Sequence, residues 1–424
     1  MSQEKNQEKN QETESTKSLT PLDEALTQIL YNVKPVSLKQ PAFIFEADGR
    51  VVAQDVRSNI NVPGFDNSAM DGYALCSTDI SAKDIENSTP FTVSQTIPAG
   101  YAGQALQPGT LARIFTGAPV PDGADTVIQQ EKTQITADGK VILMQLPKAG
   151  DNIRRVGEDI EKGAVVLAKG QLIGPAHIGV AASVGYNALT VFRKLKVALF
   201  VTGDELAEPG ESLKPGGIYN SNRYVLRSLL ERSVCEFSDN GILPDSLSQV
   251  KDAFEQAAKH HDLILTSGGV SVGERDYVKE AVSELGKLHL WKLAIKPGKP
   301  LAFGQVRRPE EGHCHFLGLP GNPVASFITF LLVVRPFLQK FSGAPVTFPR
   351  ALTLKANFKA KTKDRQEFLR AQVSERGDVE IYPNQSSGVL TSMTWAEGLV
   401  VIPAQSVVEP GDMVQYIPFS EFGI

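Results

Sequence analysis

Residues 195–206 read LKVALFVTGDEL. Seven of the first eight positions carry no charge, and Leu195, Val197, Ala198, Leu199, Phe200 and Val201 form a nearly unbroken apolar run. A strand with one face in water alternates apolar with polar residues, so an unalternated run predicts a strand buried on both faces, as in a parallel sheet covered by helices. The run stops at Thr202-Gly203-Asp204-Glu205, a loop of turn formers and carboxylates. Downstream the same grammar repeats. A helix is predicted over 220–232 and a strand near 234–243. An amphipathic helix follows at 246–260, with Leu247, Val250, Phe254, Ala257 and Ala258 on one face. DLILTS (262–267) is a second buried strand, followed by a helix at 275–286, strands at 288–295 and 301–306, and HFLGL (315–319). A long helix is predicted over 322–341. Strands alternating with helices imply right-handed crossovers and a mostly parallel α/β core over 191–345.

The flanks have a different texture. Residues 346–424 are β-only: LTLKANFKA, FLRAQVSE, DVEIYP, GLVVIP and MVQYIP are divided by turns and predict a small C-terminal β-barrel. Residues 58–160 hold FTVSQTI, TLARIFT, DTVIQQEKT and KVILMQL, short strands that predict a β-rich inserted domain. Residues 19–57 together with 161–190 form a helical and extended linker domain. Thr20 is the expected N-cap of its first helix, with Pro21 at the first helical position and Leu22, Ala25, Leu26, Ile29 and Leu30 as the apolar stripe. Residues 1–18 repeat QEKN and hold no apolar residue after Met1, so a disordered tail is expected.

At roughly 100–200 residues per domain, 424 residues accommodate such a multidomain arrangement. The net charge of −5 argues against a general nucleic-acid binder. Three separated cysteines, Cys76, Cys235 and Cys314, make no disulfide framework. The polar N-terminus has no apolar leader, and the stretch Val324–Val334 is too short to span a bilayer, so a cytoplasmic protein without membrane partners is expected.

The 36 glycines and 26 prolines are about 15% of the chain, against a usual ~12%. In the α/β core they cluster after strands: TGDE (202–205), SGGVSVGERD (267–276), KPGKP (296–300) and LPGNP (319–323). Each cluster alone is most simply a turn. Together they fall at the carboxyl edge of one sheet, where open α/β folds bind ligands. The GG loop and the PGNP helix start offer backbone N–H groups to an anion. Lys296 and Lys299 add point charges suited to a phosphate or other oxyanion, and carboxylates at the same edge (Asp204, Glu205, Asp276) imply Mg2+ between them and the phosphates. No Walker A or G-x-G-x-x-G pattern is present.

The insert carries NVPGFDNSAMDGYA (61–74), RIFTGAPVPDGADTVIQQE (113–131) and NIRRVGEDI (152–160). The first is either a tight inter-domain turn or a site segment. Arg154, Arg155, Glu158 and Asp159 are either a solvated charge run or ligand contacts. His313 and His315 share a strand face but lack a second ligand pair for zinc.

These segments, with VALFVTGDEL, ILTSGGVSVGERDYV, LAIKPGKPLAFG and LPGNPVAS, occur in one order and resemble the MoeA / gephyrin E-domain family of molybdopterin molybdenumtransferases from residue ~19 to 424. The core alone resembles the MoaB/MogA-type fold. The resemblance implies insertion of molybdenum from molybdate into adenylylated molybdopterin, with Mg2+ and release of AMP. It also implies a homodimer whose cleft involves both subunits, and contact with a separate molybdopterin adenylyltransferase and with molybdoenzyme apoproteins. Matched motif by motif, Asp71, Thr116, Asp159, Glu205 and Asp276 resemble positions important for activity. Arg154, Ser271, Lys296, Lys299, Pro320, Pro323, Arg370 and Ser387 resemble substrate contacts, with Arg365 or Ser386 as alternative matches for the last two. Asp276, Asp204, Glu205 and Asp245 are the implied metal ligands. At Asn220 many members carry Asp, so no carboxylate role carries over there. Two other readings stay open: a CinA-like nucleotide hydrolase sharing the core loops, and a scaffold of the gephyrin kind.

Overall fold

The computed structural model describes residues 19–244, 246–270 and 277–424. The expected disordered tail, 1–18, lies outside the described residues.

Six strands form the central sheet: β1 (Leu195–Thr202), β2 (Cys235–Leu243), β3 (Leu263–Ser267), β4 (Gly286–Lys292), β5 (Pro300–Arg307) and β6 (His313–Leu319). Their spatial order is β2-β1-β3-β6-β5-β4. The β2/β1, β1/β3 and β3/β6 pairs are parallel, while β5 runs antiparallel to both β6 and β4. β4 therefore points the same way as β1, β3 and β6. The apolar run that opens the core is covered on both faces as predicted. Leu195, Val197 and Leu199 pack with Leu226, Leu229 and the long C-terminal helix of the core. Ala198 and Phe200 point the other way, to Val250, Phe254 and Phe316. Phe254 meets Phe200 edge-on with ring centroids 5.7 Å apart.

The long helix is not uniform. Pro323–Thr329 and Arg335–Ser342 are α-helical, and Phe330–Val334 between them is a π-turn. Pro336 explains the break: it has no N–H to donate and its ring would clash with a carbonyl one turn back, so the helix widens there. Gly343, at φ 85°, ends the helix in the left-handed conformation that glycine adopts without steric cost. Pro323–Ser342 spans 20 residues and by length and composition could cross a membrane, but 72% of its most apolar window is buried inside the protein.

Thr20 does not cap the first helix. Its N–H donates to Lys292 O at 2.8 Å and its carbonyl accepts from Ala294 N–H at 2.7 Å, leaving Pro21 at the N-cap of Leu22–Tyr31. This strand-like tether draws the helix onto the α/β core, where Ala25, Leu26 and Ile29 are buried with Leu293 and Val334. The rest of the linker region has its own small core around Ala42, Val52, Leu167, Ala181 and Val191. Lys39–Phe43 pairs there with Ala188–Phe192, and Val56–Arg57 with Val165–Leu167.

The insert contains a four-stranded sheet (Val93–Ile97, Leu111–Ile114, Gly72–Leu75, Thr126–Gln129) and a three-stranded one. The C-terminal strands Leu352–Lys355, Met413–Pro418, Gly398–Ile402, Gln366–Val373 and Val379–Ile381 pair in series. A bridge between Ala356 and Val379 closes the ring, giving the expected small barrel. Ile295–Lys296, from the core, adds to this barrel by parallel pairing with Gln366 and Glu367. The barrel is thereby fixed to the core beside the KPGKP loop.

His315 is 4% exposed in β6, its ring among Phe303, Phe337 and Phe341, with Nδ1 unpartnered among the described residues. Burial pushes its pKa down to about 4. The unfolded chain therefore takes up this proton near pH 6.5 while the folded chain refuses it until about pH 4. Stability is lost as pH falls through that window, by roughly 2–3 kcal/mol at pH 4.5 from this residue. Denaturant unfolding at pH 7 and pH 4.5 should show a smaller acid loss in His315→Phe than in the wild type. Burial likewise pushes the Cys235 and Cys314 thiols up to about 12, so neither acts as a thiolate near neutral pH.

Candidate active site at the carboxyl edge of the sheet

Because β1, β3, β6 and β4 run one way, the loops that follow them share an edge. They enclose a cavity of about 1090 Å³ whose far wall comes from the C-terminal barrel. Thr202, Gly203 and Glu205 line it after β1, Ser267 to Val270 after β3, Pro320 to Pro323 after β6, and Lys296 to Pro300 after β4. The described parts of the four Gly/Pro clusters of the core, 267–270 in the second, are thus brought together at one edge.

The glycines are required by backbone geometry. Gly268 sits at φ 91°, and a Cβ there would lie 2.6 Å from Thr202 Oγ1 and 2.8 Å from Thr202 O. At Gly298, φ 112°, a Cβ would meet Thr329 Oγ1 at 2.6 Å. Only a residue without a side chain lets these loops pack against β1 and the long helix while turning into the cavity. Asn222 fastens two of them: its Nδ2 donates to Ser267 Oγ at 2.8 Å and to Gly321 O at 2.7 Å. Sequence reasoning passed over Asn222; its one signal was its place in the polar IYNSN segment after the TGDE loop. Asn220, 1% exposed, is the N-cap of Ser221–Glu231, accepting from Arg223 N–H and donating to Glu208.

The two lysines differ. Lys296 Nζ lies 3.1 Å and 3.2 Å from the two Glu367 carboxylate oxygens, so its charge is largely matched by the barrel. Lys299 is exposed at the cavity and makes no ion pair among the described residues. Glu205 lines the cavity; Asp204 is exposed and does not. Pro320 and Pro323 both line it. The helix start that they frame is partly satisfied already, because Val324 N–H donates to Ser387 O at 3.1 Å.

On the barrel side, Arg365, Ser386 and Ser387 line the cavity and Arg370 does not. Arg370 is fully buried, donating from Nε to Ser392 Oγ at 3.0 Å and from Nη2 to Ser386 O at 3.1 Å. Gln385 completes the clasp by bonding both backbone groups of Arg370. Burial brings the Arg370 pKa down to about 10. The direct oxyanion contact expected of Arg370 is therefore a clasp on the Gln385–Ser387 loop. The guanidinium at the cavity is that of Arg365, which bonds Ile295 O at 3.4 Å.

The insert residues form a separate group. Asp71 Oδ1 accepts from both the N–H and the hydroxyl of Thr116 at 2.8 Å, and the Thr116 N–H bond leads in holding its carboxyl below the usual carboxylate range. Arg154, in a two-residue strand paired with Asn67–Ser68, is exposed, as is Asp159, whose N–H donates to Val62 O. The adjacent Arg155 pairs with Asp66 at 2.6 Å. None of these lines the cavity of its own chain. Ser271, Asp276 and Asp245 lie outside the described residues. Among the described residues no group of three or more His, Cys, Asp or Glu side chains is arranged to hold a metal.

Three family models match the chain in succession: MoeA N-terminal region (domain I and II) over residues 20–185, probable molybdopterin binding domain over 198–340, and MoeA C-terminal region (domain IV) over 352–419. A molybdopterin molybdenumtransferase of Haemophilus influenzae is 38% identical over 410 residues, 94% of this chain and 98% of that protein. Molybdopterin molybdenumtransferase 2 of Mycobacterium tuberculosis is 36% identical over 374 residues, 86% of this chain and 90% of that one. A crystal structure of the molybdopterin biosynthesis MoeA protein from Pyrococcus horikoshii superposes with a TM-score of 0.81 at 30% identity, covering 95% of this chain and all of that one. With its domains matched in order and a relative 38% identical over nearly its whole length, the chain belongs to the MoeA family of molybdopterin molybdenumtransferases.

Proposed function

We propose that the chain inserts molybdenum from molybdate into adenylylated molybdopterin, releasing AMP, in the cavity at the carboxyl edge of the sheet. The molybdenum-insertion role in cofactor biosynthesis follows from the family. The finer reading rests on one observation: four loops and the barrel wall enclose a polar cavity lined by Lys299, which makes no ion pair among the described residues, with Arg365 and the serines 386 and 387. A tetrahedral oxyanion is matched by that set, because guanidinium, ammonium and hydroxyl groups all donate and none competes as a charged acceptor.

Magnesium fits the donors sparingly. Glu205 is the carboxylate at the cavity among the described residues, and magnesium is commonly held by one or two carboxylates together with substrate phosphate oxygens. Glu205 would hold it with Asp276, which belongs to the same edge by sequence; when bound, the ion neutralises phosphate charge. Asp204 drops out of this set by position. The remaining work falls to the chain. The GG and PGNP loops bring backbone close to the pyrophosphate, Lys299 and Arg365 orient molybdate, and the barrel wall excludes water from one side. Anhydride cleavage then needs positioning and charge stabilisation, with water as the other reactant and no protein nucleophile.

The insert residues enter through a second subunit in this reading. Asp71, Thr116, Arg154 and Asp159 are exposed or partly exposed, yet none of them lines the cavity of its own chain. A homodimer that brings one chain's insert to its partner's cavity accounts for both facts. The protein would work in the cytoplasm, receiving substrate from an adenylyltransferase and passing product to apoenzymes.

The direct test incubates the protein with adenylylated molybdopterin, molybdate and Mg2+ and measures AMP and active cofactor. Turnover of both supports the proposal. AMP release without active cofactor would favour a nucleotide hydrolase, and no turnover by intact protein would favour a scaffold. Lys299→Ala should raise the molybdate concentration needed for half-maximal cofactor formation about tenfold, since a charge-assisted contact is worth ~1.5–3 kcal/mol. Unchanged molybdate dependence would remove Lys299 from the oxyanion site.

A further inference from the structure

The cavity has two chemically different ends. Its cationic groups, Lys299 and Arg365, lie on the side of β4, where Arg365 bonds Ile295 O, and Ser386 and Ser387 come from the barrel against the PGNP helix start, while Thr202, Ser221 and Ser267 line the rest. The opposite side, after β1, is walled by the short strand Ile218–Tyr219, which pairs in parallel with Leu206–Ala207. β1 and β4 are four strand steps apart, roughly 19 Å at the usual spacing. Between them, after β3 and β6, stand the GG and PGNP loops.

Tyr219 is the aromatic residue among the described residues lining this cavity. It is 47% exposed among the described residues, and Ile218, on the other face of the strand, is 55% exposed. The ring is not free to turn. Its hydroxyl donates to Glu211 O at 3.0 Å, and the strand is held by Ile218 N–H to Glu205 O at 2.8 Å and Asn220 N–H to Ala207 O at 2.9 Å. A fixed, half-exposed aromatic face at a polar cavity is suited to stacking on a flat heterocycle.

We infer that Tyr219 is the stacking platform for the purine base of the adenylylated substrate and thereby sets its nucleotide specificity. The inference rests on the proposed function. Adenylylated molybdopterin carries a ring at each end of a pyrophosphate. Molybdate and the metal-binding end of the pterin belong with the cationic side, and the pyrophosphate with the central loops. The purine is then the ring that reaches the β1 side. Tyr219 touches the part of the substrate that leaves, so it governs binding of the nucleotide rather than delivery of molybdate.

The test compares AMP with ribose 5-phosphate, which lacks the base, by calorimetric titration in Mg2+ against the wild type, Tyr219→Ala and Tyr219→Phe. Tyr219→Ala should weaken AMP about tenfold or more and leave ribose 5-phosphate unchanged, while Tyr219→Phe stays within about twofold for both. Tyr219→Leu, which keeps apolar bulk but no ring, supplies the same comparison if the alanine variant unfolds. Equal weakening of both ligands would show a loop effect and overturn the inference, as would an unchanged AMP affinity. If wild-type protein releases AMP from adenylylated molybdopterin yet binds AMP no better than ribose 5-phosphate, the stacking inference fails alone. If the base-dependent difference appears but adenylylated molybdopterin is not turned over, the stacking inference stands and the proposed reaction falls.

Discussion

Asp71→Asn should lower cofactor formation by about 100-fold while the melting temperature stays near that of the wild type, the scale of loss seen when a single preorganised charged or donor group is removed from an active site. The substitution keeps the Oδ1 acceptor that Thr116 uses and removes only the charge. Asp71 does not line its own chain's cavity, and in the proposed dimer its effect reaches the cavity of the other chain. The decisive form of the experiment mixes two inactive proteins, Asp71→Asn and Glu205→Gln, under conditions that exchange subunits. In a dimer whose sites each draw an insert from one chain and a cavity from the other, half the dimers are mixed and each mixed dimer holds one intact site. Activity should return to about a quarter of the wild-type level. No recovery on mixing, with exchange shown independently, would place both residues in one chain's site.

Glu205→Gln is the second large effect. The carboxylate sits at the mouth of the loop after β1, folded back so that a Cβ on Gly203 would come within 2.7 Å of its Oε1. Glutamine preserves that shape and one oxygen but loses the charge that a hard cation requires. AMP release at fixed Mg2+ should fall about 100-fold, and raising Mg2+ should restore part of it. A variant with the wild-type Mg2+ dependence would exclude Glu205 as a ligand. Because Glu205 is exposed, its replacement should leave the unfolding transition in place.

The legibility of the site in the sequence followed the range of the interactions concerned. Lys299, Glu205, Pro320 and Pro323 were readable because each sits a fixed few residues after an apolar strand, and the direction of the strands decides where such loops go. Arg370 and Arg365 stood as alternatives because RQEFLRA gives no sign of which arginine points inward. In the folded barrel Arg365 precedes the strand and faces the cavity, while Arg370 lies at its buried centre, clasping Ser386 O and Ser392 Oγ. Lys296 looked like a free cation until the barrel supplied Glu367 opposite it. Asn222 was invisible because its value lies in bridging Ser267 and Gly321, 45 and 99 positions away. Thr20 had the chemistry of an N-cap, and the strand-like tether to Lys292 and Ala294 overrode it. Pro336, visible in the sequence, could have signalled the π-turn in the long helix.

What the sequence alone determined was the kind of core and the sheet edge at which the loop clusters gather. Both faces of LKVALFVT are apolar, which leaves a helix-covered sheet as the way to bury it, and the Gly/Pro clusters mark the carboxyl ends of its strands. What only the tertiary structure decided was the wall and the charge of the cavity. The barrel is attached through Ile295–Lys296, and that attachment selects Arg365, Ser386 and Ser387 to face the loops, neutralises Lys296 and leaves Lys299 open. The physical reason is separation along the chain: local patterning specifies strands and turns, whereas ion pairs and cavity walls depend on contacts between segments roughly 70 to 100 residues apart, brought together only by packing.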